Sequence, residues 1–165
     1  MKKIVSLMLV LIMLSSSIAL SSCDINMIGN SEQSSTQKEE EFYYLVDETK
    51  DLLDIVADDI YSYWYDCIYK DKYRDDINYA ILCAQVDNEE NINTIEENTT
   101  KIKDLYKEIK NGKLGSEAKA VMQAYNDYYT LVIEVSGSFN TYSANKETCK
   151  KELASALDDF SFELD

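Results

Sequence analysis

At 165 residues, 45% hydrophobic and 28% charged, the chain has room for one small domain, and the absence of Pro and His with only four Gly favours helices over turn-rich folds. Without His there are no Ser-His or Cys-His nucleophile systems, no usual zinc sites and no Glu-x-x-His di-iron sites. A formal charge of −15, from 31 acidic and 16 basic residues, argues against nucleic acid, because phosphate binding needs a basic surface.

Residues 1–22 read as a signal peptide. Lys2 and Lys3 form a positive start, and Ile4 to Leu14 is an apolar run of 11 residues broken only by Ser6, too short for a permanent membrane span. The next residues, Leu20-Ser21-Ser22-Cys23, resemble the lipobox of bacterial lipoproteins: an aliphatic residue, two small residues that lie extended in a peptidase cleft, then a thiol that takes a diacylglycerol. No Ala-x-Ala site points to ordinary secretory cleavage instead. The resemblance implies that Cys23 is acylated, becomes the new N-terminus and holds the chain on the extracytoplasmic face of the cell membrane. Several acyl chains, at roughly 0.8 kcal/mol per buried CH₂, make such a tether stable. Cleavage removes two of the 16 basic residues and leaves 14 against 31 acids, a net of −17, which anionic headgroups repel.

Residues 23–38 combine this cysteine with a spacer. Asp24 to Lys38 is rich in Ser, Asn and Gln without apolar periodicity, and a flexible chain of that length reaches about 20 to 23 Å. Residues 39–165 form the folded domain. Its first helix is expected over about Gln37–Tyr69, with Thr36 and Glu39 as a capping box. Phe42, Val46, Thr49, Leu53, Val56, Ile60, Trp64 and Cys67 step by three or four residues and form its buried stripe.

Lys70 to Asp76, charged and without an apolar stripe, is the first turn. A second helix follows with the stripe Ile77, Ile81, Ala84, Asn88, Ile92, Ile95, Thr99, Ile102, Leu105 and Ile109, ending at Asn111-Gly112, where glycine suits a left-handed cap. Asp87 to Asn91 is either a break, an exposed polar stretch or a site of buried Asn. Gly115-Ser116 opens a third helix with Ser116 as N-cap and Ala118, Val121, Met122, Tyr125, Tyr129, Val132 and Val135 inside. After Ser136-Gly137-Ser138, where Gly137 should be left-handed, Asn140, Thr141 or Ser143 caps a fourth helix carrying Tyr142, Cys149, Leu153, Ala156, Leu157, Phe160 and Leu164 inside. The predicted fold is all-α, an antiparallel bundle of about four helices. Val135 to Ser143 with the Tyr-rich helix before it, and Trp64-Tyr65 ahead of Ile68, are similar to small lipoproteins of low-GC Gram-positive bacteria, a resemblance that implies no activity.

Site residues are few. An unbroken second helix would be about 51 Å long against about 31 Å for the third, which leaves the end carrying Tyr61, Trp64, Tyr65, Tyr69 and Tyr73 uncovered. Trp64, Tyr65 and Tyr69 are therefore candidate interaction residues, with core packing as the competing account. The adjacent acids Asp58-Asp59, Asp75-Asp76 and Asp158-Asp159 point about 100° apart on a helix and match no calcium-loop spacing, so a solvated acidic face accounts for them, and neither a catalytic set nor a metal or cofactor site is assigned. Outside the membrane Cys67 and Cys83, flanking the first turn, are the candidate disulfide; reduced core thiols are the alternative. The expected function is that of a membrane-anchored interaction or scaffold module of the cell envelope, with an unknown envelope protein or a second copy as partner. A small-ligand or glycan-binding module is the alternative.

Overall fold

A computed structural model describes residues 27–164, with side chains from Ser35 onward. The expected signal peptide, the lipobox-like stretch and Cys23 lie outside the described residues. The fold is all-α: the described residues form five helices, α1 (Met27–Tyr69), α2 (Ile77–Asp87), α3 (Glu89–Ile109), α4 (Gly115–Ile133) and α5 (Phe139–Leu164), plus a 3₁₀ turn at Tyr73–Asp75.

α1 is the axis, 43 residues and about 64 Å long, and every other helix packs against it. All eight residues of its expected stripe, from Phe42 to Cys67, are buried. Its start differs from the expectation: the helix begins at Met27, so Thr36 lies inside it and the spacer residues from Met27 to Lys38 are helical. Once a long helix is nucleated, each further residue gains a hydrogen bond at little cost, and no Pro stands in the way. Lys38 also pairs with Glu108 of α3, tying this first stretch down.

α2 and α3 run back along α1 as one helix broken at Asn88, whose φ of −108° and ψ of 20° interrupt the helical path. The register is visible in the polar contacts: Tyr63 donates to Asp87, Asn88 donates to Asp59 at 2.8 Å, and Asn98 donates to Thr49 at 3.2 Å. Asn88 is both the break and a buried residue, 4% exposed. Its amide is satisfied by Asp59 and by the Ala84 carbonyl at 3.0 Å, while its side-chain oxygen accepts from Asn91 at 3.0 Å. Deeper in, Thr99 shares a hydrogen bond of 2.6 Å with the Tyr125 hydroxyl. The oddly polar part of the second stripe is thus a layer of satisfied polar contacts inside the bundle.

α5 returns antiparallel to α1, Phe160 against Phe42 at one end and Phe139 against Trp64 at the other. α4 packs mainly on α5 and also touches α1, its Tyr128 hydroxyl donating to Asp54 at 2.7 Å. The turns depart from the sequence reading in chemistry more than in position. At Lys70 to Asp76 four non-glycine residues, Asp71, Tyr73, Arg74 and Asp75, have φ between 52° and 60°. This left-handed run is held by Asp66, whose carboxylate takes Lys70 and Lys72 at 2.6 Å each, and by the Tyr63–Tyr73 ring stack at 5.0 Å. Gly112 is not left-handed; the chain closes instead through Gly112 N–H to the Ile109 carbonyl and Gly115 N–H to the Gly112 carbonyl. Leu114, not Ser116, occupies the cap position of α4. Gly137 does take a positive φ, 88°, and Ser138 caps α5 by accepting from Thr141 N–H at 3.2 Å.

Candidate interaction surface

The end of the bundle farthest from Met27 is built from the last turns of α1, the left-handed turn, α2 and the start of α5. Tyr61, Tyr65 and Tyr69 follow one another at i, i+4, i+8 on α1, and the Phe139 ring sits among them, 5.0 Å from Tyr61, 6.3 Å from Tyr65 and 6.2 Å from Tyr69. Ser138 is the cap, so α5 starts early enough to bring Phe139 here, and the helix spans about 39 Å. The length argument for an uncovered end therefore fails at Trp64, which is 3% exposed and packed between Phe139 at 5.9 Å and Tyr142 at 5.7 Å. Among the described residues its indole N–H has no hydrogen-bond partner. Trp64 is a core residue. Tyr65 and Tyr69 stay at the surface, 38% and 60% exposed, with Lys70 lying over the Tyr65 ring.

The expected disulfide is not formed: Cys67, Cys83 and Cys149 are free thiols. Cys67 is buried at the end of α1, and burial, with Asp75 and Asp76 adding to it, pushes its thiol above the usual range. Burial likewise raises Cys149, so both are poor thiolate nucleophiles.

The Asp58-Asp59 pair is split between two partners. Asp58 meets Lys146 of α5, whereas Asp59 accepts from Asn88 on the other side of α1. One helical turn earlier, Asp54 binds Lys150 at 2.9 Å and the Tyr128 hydroxyl. Burial and this carboxylate hold the Tyr128 phenol far above its ordinary value, so it acts as a donor. Lys146, 8% exposed under the Tyr61 ring, was not foreseen; its partner is 88 positions away in sequence and leaves no local trace. Among the described residues no group of three or more Cys, Asp or Glu is placed to hold a metal ion, and no helix is long and apolar enough to cross a membrane.

A groove of about 530 Å³ runs open along the outside of α4 and α5 between Ala120, Ala124, Ala156 and the acids Asp127, Glu152 and Asp159. A ligand site needs polar groups converging in an enclosing cleft, and these acids line an open channel. What the sequence reading passed over is α2. Among the described residues ten large apolar side chains are exposed, and seven of them fall between Tyr65 and Val86. The signal was present: Ile77 to Val86 contains no charged residue and has apolar residues on more than one face. Comparison with protein-family models, with curated proteins and with solved structures finds no match.

Proposed function

We propose that the protein is a lipid-anchored, extracytoplasmic module of the cell envelope that works by contact with another macromolecule. The observation that carries the contact half is the gathering of exposed apolar side chains between Tyr65 and Val86 at one end of an otherwise charged bundle. Monomeric surfaces seldom keep such patches without a use. Support for the anchor half is in the sequence: the charged, apolar and small-residue order of residues 1–22 and the thiol at Cys23. Only three residues lie between Cys23 and the start of α1, so a rod of about 64 Å would carry the apolar end away from the lipid. Tyr65 and Tyr69 belong to that surface, and Trp64 supports it from beneath.

Two measurements test the two halves. Metabolic labelling with a fatty acid should mark the wild-type chain and not Cys23→Ser; an unlabelled wild type removes the anchor. A photo-reactive residue at Tyr69 should give a discrete adduct in intact cells, and the same residue at Gln123 on α4 should not. Equal yields from both positions, or none from either, remove the contact reading.

A further inference from the structure

α2 is the helix whose composition and surroundings disagree most. A helix that is apolar on all sides belongs in an interior, and Ile77 to Val86 is uncharged in a chain that is 28% charged. Yet among the described residues α2 packs only on α1, the Tyr73–Asp75 turn and α3. Its buried side is two methyl groups, Ala80 and Ala84, which let it lie close on α1. On another face Tyr79, Leu82 and Val86 are 40%, 54% and 60% exposed. Their spacing, i, i+3, i+7, makes one stripe of the kind that docks helix against helix. Both ends of α2 are clamped: Asp76 accepts from the Tyr79 N–H at 3.1 Å, and Tyr63 and Asp59 hold Asp87 and Asn88. The surface is preformed, so binding to it orders little.

Charge decides what covers the stripe. Exposed acids stand at both ends, Asp75 and Asp76 before it and Asp87, Glu89 and Glu90 after it, about 20 Å apart along the helix path. Of the basic residues in the turn before α2, Lys70 and Lys72 are paired with Asp66 and Arg74 is engaged over the Tyr79 ring at 5.3 Å. A second copy would bring the same acidic ends and the same excess of acids, and an anionic lipid surface would be repelled in the same way. A partner with basic ends gains attraction where those two lose it.

We propose that the Tyr79, Leu82 and Val86 face of α2 docks an amphipathic helix of a partner protein, with an apolar stripe about three turns long and Lys or Arg at both ends. The proposal rests on the contact reading above and names its partner chemistry. The test uses the full chain and two synthetic helical peptides that share a Leu stripe, one ending in Lys at both ends and the other in Glu. Fluorescence anisotropy should show the Lys peptide binding about tenfold or more tighter than the Glu peptide, with added salt narrowing the gap. Leu82→Glu with Val86→Glu should lose that binding while helix content and the melting transition stay as in wild type. Equal affinity for the two peptides, binding of neither, or wild-type binding by the double variant overturns the proposal. A wild-type dimer in sedimentation that the double variant converts to monomer assigns the face to a second copy, and capture on anionic vesicles that the double variant abolishes assigns it to lipid. Either outcome overturns the basic-helix partner, whereas the contact reading is judged separately by the adduct from Tyr69.

Discussion

Trp64 and Tyr65 are neighbours in the chain and opposites in environment, one closed in by Phe139 and Tyr142 and the other at the rim. Trp64→Ala should therefore cost about 3 to 5 kcal/mol in denaturant unfolding, as truncation of a buried aromatic does. Tyr65→Ala with Tyr69→Ala should cost under about 2 kcal/mol, the scale of lost ring contacts at a surface. Similar losses for both would place all three rings in the core. Asp66 gives a second prediction at this scale. Hydrogen bonds from Lys70 and then Lys72 hold its carboxyl below the ordinary 3.8. A group depressed in the folded state stabilises above its unfolded value and loses that contribution as pH falls through the folded one. Asp66→Asn should thus melt below wild type at pH 7, and the two midpoints should converge as the pH falls below about 4. A gap unchanged at the acid end would show that the carboxylate charge does not hold the turn.

At the scale of the element, the turns carry the special geometry. Gly137, at φ 88°, joins α4 to α5 where a β-branched side chain is strained. Gly137→Val should destabilise by more than about 1 kcal/mol and Gly137→Asn by less, because Asn tolerates the left-handed region better. Equal midpoints for Val and wild type would contradict the geometry. Which parts of this were legible in the sequence follows from range. Helical stripes repeat every three or four residues, so the α1 stripe from Phe42 to Cys67 and the glycine at 137 could be read directly. The buried Lys146, the Tyr128 donor and the reach of Phe139 over Trp64 depend on partners 74 to 88 positions away, or on where a cap falls. The turn after α1 lies where the sequence places it, but its left-handed run is only weakly marked, since none of its four residues is Gly or Asn and only Asp71 and Asp75 are of a type that visits that region. The candidate interaction residues were read from aromatic content, which singled out Trp64, a side chain the bundle buries, and passed over the exposed apolar residues of the uncharged run of α2.

For the whole molecule, charge is the dominant long-range property: 31 acids against at most 16 bases repel one another in the compact state more than in the expanded one. The ion pairs oppose this only weakly, because several of them, such as Lys107 with Asp104, are exposed. Raising sodium chloride from about 20 to about 300 mM should therefore raise the thermal midpoint, screening more repulsion than attraction. A midpoint that falls with salt would mean that the Asp54, Asp58 and Asp66 pairs outweigh the net charge.

The length of α1 also has a mechanical side. Its Met27 end and the surface around α2 sit at opposite ends of one continuous helix, with α3 and α5 lying antiparallel along its flanks. A pull between those ends loads the bundle in shear, along the helix axes. Contacts from Phe42–Phe160 at one end to Trp64–Phe139 at the other would have to slip together. Pulling α5 sideways from its C-terminus would instead peel the same contacts one at a time, so the bundle should resist force far better in the direction in which a tethered module would feel it.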